Sequence, residues 1–403
     1  TIGIILREAG TCEALVKSSV SPAEDMLMEH LPTLGHFLPP YWGTLERVRR
    51  EGTQMQKDGW DMRMRQKLSA VVAFAAILAT GASANAATVP AGFTDMQVTS
   101  GLARPTAMAF APDNRIFVTE QRGTLRVVKE GNLLATPFVS LTVDSSGERG
   151  LLGVAFDPAF RSNKFVYVYH TVPGSPAHNR VTRFTANGDR AVAGSGRVIL
   201  DLNALSSATN HNGGAIHFGR DGKLYVFVGE NGNGANAQSL SNRLGKVLRI
   251  NKDGSIPGDN PRSFPGIGGQ TTGLNRSIWA VGLRNPFTAA FQPGTGKLYI
   301  NDVGANTWEE INRGIRGANY GWPRSEGPTS NPNFTGPIHG YTHTSTSSDC
   351  AITGGAFYNP AVTQYPDSFI GAYFYSDLCG GWIHYLDASG VARRFATGIT
   401  QPV

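Results

Sequence analysis

The residue types best suited to chemistry lie well inside the chain. His211 stands in NHNGGAIHF, with Gly213 and Gly214 just after it. An imidazole titrates near ~6.5 and can accept a proton at neutral pH. Two adjacent glycines let a ligand approach the backbone closely. The same pattern also suits a turn histidine bonded to local backbone. Arg284 in GLRNPF offers a fixed guanidinium, able to pair with an anionic ligand or with loop carbonyls. Glu309 and Glu310 are adjacent carboxylates, which on their own suit a solvated pair at a turn. GIGGQTTG (266–273) is glycine-rich but lacks the spacing and strand–helix setting of a phosphate loop.

A scaffold must bring these groups together, and composition narrows its class. The 403 residues are 40% hydrophobic and 16% charged, which excludes a disordered chain. There are 49 Gly and 23 Pro without a G-X-Y period, so collagen is excluded and a turn-rich all-β fold is favoured. The net charge is +6. Residues 1–86 hold nine Lys/Arg and nine Asp/Glu, so the excess belongs to the remainder. There it is scattered, without the basic stripe that nucleic-acid binding requires.

Residues 62–86 read as an export signal. Arg63, Arg65 and Lys67 precede an apolar run from Leu68 to Ala79, too short to span a bilayer, and Ala84-Asn85-Ala86 gives an A-x-A cleavage pattern. Residues 1–61 are then expected to be an upstream extension translated from a start placed too early, since Met62 and Met64 both offer a start. A cytoplasmic extension ahead of a membrane anchor is the alternative. Residues 87–403 are the expected mature domain, periplasmic or secreted, with no stable membrane span after signal removal. In such a compartment the even pair Cys350 and Cys379 is expected to form a disulfide, two buried thiols being the alternative.

From Gly92 onward one phrase recurs: a small-residue turn, an apolar-x-Phe strand, a Pro/Asp/Gly turn, then an alternating apolar strand. The copies are PTAMAFAPDNRIFVTE, LLGVAFDPAFRSNKFVYVYH, GGAIHFGRDGKLYVFVGE, NPFTAAFQPGTGKLYINDVG and, more loosely, ITGGAFYNPAVTQYPDSFIGAYFYSD. Their anchors are Phe110, Phe156, Phe218, Phe291 and Phe357. Recurrence on this scale, with more β-type sequence between copies, predicts propeller blades. TGITQP (397–402) echoes SGLARP (100–105), the lead-in to the first copy. The expectation is a six-bladed β-propeller truncated before the final blade closes.

ERGLLGVAFDP, NHNGGAIHFGRDGKLYVFVGE, LGKVLRINKDGSIPGDNP, GLRNPF and DVGANTWEEINRGIRGANYGWP follow in the order found in glucose/sorbosone dehydrogenases. Over roughly residues 95–325 the chain resembles that family of soluble quinoproteins, which use pyrroloquinoline quinone (PQQ). The resemblance implies that His211 is the catalytic base and that Arg284 and Asn285 contact the quinone. Arg284 would also stabilise charge on the reduced cofactor. Glu148 and Asn231 fall at positions near substrate and cofactor, both changed in residue type, and Asn210 falls where the family can have an Asp beside the base. Gly304 and Ala305 would offer carbonyls, and Glu309 a carboxylate, to a calcium ion acting as Lewis acid. A family lysine that holds PQQ falls near Cys379, and the family's last arginines fall beyond Val403. His217 belongs to ordinary packing.

The implied activity is oxidation of an aldose at its anomeric carbon to a lactone. PQQ and Ca2+ would be the cofactors, and the electrons would pass to an unidentified acceptor. A non-catalytic extracellular binding propeller, similar to the domain of the hedgehog-interacting proteins, is the alternative. A calcium-dependent lactonase is a lesser one.

Overall fold

The computed structural model describes residues 87–343 and 348–403. The expectations for residues 1–61 and for the signal peptide at 62–86 lie outside the described residues. Five sheets follow one another along the chain, each with four antiparallel strands in line. Their innermost strands are Pro105–Phe110, Leu151–Phe156, Ile216–Phe218, Pro286–Phe291 and Ile352–Phe357. The second strands are Ile116–Glu120, Phe165–Val172, Leu224–Val228, Leu298–Asp302 and Tyr373–Asp377. Inner strands of successive sheets pack against each other. This is a propeller, and each copy of the repeated phrase builds one blade. The longest α-helix among the described residues is the single turn Phe160–Asn163. No helix there is long and apolar enough to cross a membrane.

The anchor phenylalanines explain the repeat. Each is the last residue of an inner strand, and all five line a central channel of about 460 Å³. Four of the five also meet an aromatic ring from the second strand of the preceding blade. Phe156 meets Phe117 at 4.9 Å, Phe218 meets Tyr167 at 5.2 Å, Phe291 meets Tyr225 at 5.0 Å and Phe357 meets Tyr299 at 4.8 Å between centroids. Such pairs contribute about 0.5–1.5 kcal/mol each beyond their buried area. The second strands are buried on both faces. Leu224–Val228 (LYVFV) is buried at every position, so it carries a continuous apolar run rather than an alternation.

The described residues form five blades, where the sequence predicts a six-bladed architecture. The sixth was inferred from the echo of SGLARP in TGITQP. That echo is real in the backbone: Gly101 and Gly398 have φ of 85° and 75°, and Arg104 and Gln401 have φ of 52° and 48°. Thr106 Oγ1 donates to Leu151 O at 2.6 Å, and Thr353 Oγ1 donates to Pro402 O at 2.7 Å, so an inner-strand threonine grips the following segment in both places. Residues 398–403 nevertheless add no strand. At the other end of the domain, Thr88 pairs with Thr397 on the outer strand of the fifth blade. Phe93 packs edge-on against Tyr365, Phe369 and Phe395.

Candidate functional site

One end of the propeller gathers chemically capable residues because the repeat places them there. The residue seven positions before each anchor phenylalanine is Ala103, Arg149, His211, Arg284 or Cys350. These are equivalent positions, at the entry to successive inner strands. The second strand of each blade ends at the same side and supplies an acceptor for backbone N–H groups there. Glu120 accepts from Ala103 N at 2.8 Å and Thr171 from Gly150 N at 3.2 Å. Asp302 accepts from Arg284 N at 2.9 Å and Asn285 N at 2.7 Å. Asp377 accepts from Cys350 N at 3.2 Å and Ala351 N at 3.1 Å.

The third blade breaks this pattern, and the departure creates the site. Its acidic residue, Glu230, meets the His211 ring at Nδ1 instead of the backbone. The backbone N–H of His211 goes to Glu148 Oε2 at 2.8 Å. Asn210 Nδ2 donates to His211 Nε2 at 3.1 Å. This network assigns the tautomer: Nδ1 carries the proton toward Glu230, and Nε2 keeps its lone pair. Glu230 and His211 are 1% and 8% exposed, so the carboxylate acts on the ring with little competition from water. The other oxygen of Glu230 is buried and has no hydrogen-bond partner among the described residues. Sequence reasoning missed Glu230 and looked for an orienting carboxylate at Asn210. The available signal was the place of Glu230 just past a second strand, where the other blades carry Glu120, Asp302 and Asp377.

The remaining candidates sort into those at the site and those behind it. Asn285 accepts from Gly213 N at 3.0 Å and donates to Glu148 Oε2 at 3.3 Å, tying the entries of the third and fourth blades together. The Glu148 carboxylate is therefore engaged by two donors within the protein. Asn231 is buried and differs from expectation. Its amide accepts from Ser206 N at 2.6 Å and donates to Ala208 O at 2.8 Å, so it holds the loop before His211. Arg149 grips the same loop, donating to Ser206 O at 2.7 Å and Ala208 O at 3.0 Å. Sequence reasoning missed Arg149 as well.

Arg284 is half-buried, donates from Nη1 to Val303 O at 3.0 Å, and lies 5.6 Å from the centroid of the Trp322 ring. Its carbonyl accepts from Glu230 N at 2.9 Å, which links it to the partner of His211. Among the described residues its other guanidinium N–H groups have no partner, so they are free for an anionic oxygen. The donor set thus fits the quinone end of PQQ.

Gly304 and Ala305 lie in the loop between the second and third strands of the fourth blade. Their carbonyl oxygens accept no hydrogen bond among the described residues, which suits a hard cation. Glu309 is fully buried and already accepts from Ile352 N at 2.8 Å and pairs with His343 Nε2 at 2.7 Å. Burial pushes its carboxyl up to about 8, with Asp377 adding to the rise. Glu309 thus braces the loop from behind, whereas the sequence assigned it as a direct ligand.

Cys350 and Cys379 are disulfide-bonded, with Cα atoms 5.6 Å apart, at the entry of the fifth blade. Together with Asp377 they form a cluster of metal-ligating residue types, but their sulfurs are consumed by the bond.

Comparison with known proteins identifies the family of the chain. The family described as Glucose / Sorbosone dehydrogenase matches residues 102–392. Quinoprotein glucose dehydrogenase B of Acinetobacter calcoaceticus is 34% identical over 261 residues, 57% of this chain and 52% of that protein. The mouse hedgehog-interacting protein is 29% identical over 231 residues, 51% of this chain and 32% of that protein. The chain thus spans about half the length of the first relative and about a third of the second. The PQQ-bound form of aldose sugar dehydrogenase from Streptomyces coelicolor superposes with a TM-score of 0.61 at 25% identity, covering 77% of this chain and 85% of that one. With a match across most of its length, the chain belongs to the glucose/sorbosone dehydrogenase family.

Proposed function

We propose that the chain is a PQQ-dependent oxidoreductase that converts an aldose to its lactone. The observation that carries this reading is His211, held at Nδ1 by buried Glu230, with Nε2 as the acceptor nitrogen that Asn210 releases when a substrate hydroxyl takes its place. In the proposed step Nε2 takes the proton of the anomeric hydroxyl. The anomeric C–H bond breaks with its electron pair, and the C–O bond becomes the lactone carbonyl. When bound, PQQ supplies the two-electron acceptor for that hydride. Arg284 would stabilise the negative charge that the acceptor gains, with Asn285 beside it in the chain. The carbonyls of Gly304 and Ala305 would hold calcium beside it, with Glu309 bracing the loop. The sugar substrate is an aldose, and a further electron acceptor completes the turnover. A periplasmic or secreted location follows from the leader-like residues 62–86 and is compatible with the disulfide.

Spectroscopic titration of the purified chain with PQQ and calcium tests the cofactor assignment. A saturable quinone absorbance supports it, and none at millimolar calcium contradicts it. The Cys350–Cys379 bond favours a second reading, a propeller that binds without catalysis. Cys379 falls near the position where the family resemblance implies a cofactor-holding lysine, and a disulfide sulfur supplies no such cation. A folded chain that shows no quinone absorbance after PQQ and calcium are added is the outcome that supports this second reading.

A further inference from the structure

The Gly304–Ala305 loop is clamped by a residue that neither the motif reading nor the proposed mechanism uses. Five consecutive backbone N–H groups end on two carboxylates. Gly304 N lies 3.3 Å from each oxygen of Glu309. Ala305 N reaches Glu326 Oε1 at 2.8 Å. The N–H groups of Asn306, Thr307 and Trp308 converge on that same oxygen at 3.3 Å each.

Peptide geometry turns this clamp into an orientation. A trans peptide is planar, with its C=O opposite its N–H. The carbonyl of Gly304 shares a peptide with the N–H of Ala305, and the carbonyl of Ala305 with that of Asn306. Aiming both N–H groups at Glu326 therefore turns both carbonyls away from it. The clamp is itself fixed from behind. Gly327 N donates to Glu310 Oε1, and a Cβ on Gly327 would collide with the Trp308 indole.

We propose that Glu326 is a positioning residue that presets the carbonyls of Gly304 and Ala305 for a divalent cation. The proposal rests on the calcium assignment in the proposed function. Residues that orient metal ligands commonly carry about 10–100-fold in metal affinity.

The test is calorimetric titration of the full chain with calcium chloride alone, without quinone, on wild type, Glu326→Gln and Glu326→Asp. Melting temperature with and without calcium is the second readout. Wild type is expected to bind and to melt higher with calcium. In Glu326→Gln the affinity should fall about tenfold or more, and the calcium-induced shift should shrink, while the calcium-free melting temperature changes little. Glu326→Asp, which keeps the charge, should fall between the two and carries the comparison if the Gln variant does not fold. Equal calcium affinity in wild type and variants overturns the role of Glu326 and leaves the calcium site standing. Absence of binding in wild type overturns the calcium assignment itself.

Discussion

His211 meets Glu230 through Nδ1 while Asn210 donates to its Nε2 at 3.1 Å, so one buried carboxylate decides which ring nitrogen is the base. Glu230→Gln keeps the size of the side chain and removes the charge that stabilises the protonated ring. Turnover with an aldose should fall about 100-fold or more, in the range of lost acid–base assistance. The KM for the sugar should change little. Steady-state kinetics with a dye acceptor checks this, and a variant that loses only sugar affinity would show that Glu230 belongs to the substrate pocket.

Asn231 separates a supporting residue from a cofactor contact. Its amide serves Ser206 N and Ala208 O, and its φ of 58° is one that Asn tolerates and Ala does not. Asn231→Ala should lower stability by about 1–3 kcal/mol from the unsatisfied groups alone. PQQ affinity should hold within a few-fold at temperatures where the variant is folded. Urea unfolding and quinone titration on the same sample distinguish the two roles.

Acid should weaken the domain through buried histidines. Burial pushes both His170 and His217 down to about 4. A group with a depressed folded pKa contributes stability above its unfolded value, near ~6.5 for histidine, and loses it as pH falls through the folded value. Melting temperature should therefore drop between about pH 6.5 and pH 4. His217 sits edge-on to Phe227 at 6.2 Å, and His217→Phe should flatten part of that decline. A melting temperature that stays level across this window in wild type contradicts the assignment.

The disulfide closes a loop with a sequence separation of 29. Chain-entropy arguments give such a crosslink about 3–4 kcal/mol. Replacing both cysteines with serine should destabilise the fold by about that amount or less. Guanidinium unfolding of the purified double variant measures it.

Much of the architecture was legible in the sequence because the repeat is dictated by packing. The five phenylalanines mark five inner strands, since all line the channel and four of them also meet a ring of the preceding blade. Alternation was a poorer guide to second strands such as Leu224–Val228, which lie between two packed faces. Motifs single out His211, Arg284 and Asn285, and the structure places all three at the strand entries of the third and fourth blades. Glu230 was not, because it acts across 19 residues through a pairing of strand ends that no local spacing reveals. Asn231 and Glu309 were placed at the right end of the propeller with the wrong task. Position along the chain gave their neighbourhood, while only the bond partners show that they face the supporting loops.

The central claim is that His211 is the base of a sugar dehydrogenase. The most direct measurement is dye-linked aldose oxidation by wild type and His211→Ala at equal, spectroscopically verified PQQ occupancy with calcium. The account predicts steady turnover in wild type and a loss of about 100-fold or more in the variant. Equal rates in the two proteins, or bound PQQ with no turnover of any aldose in wild type, would contradict it.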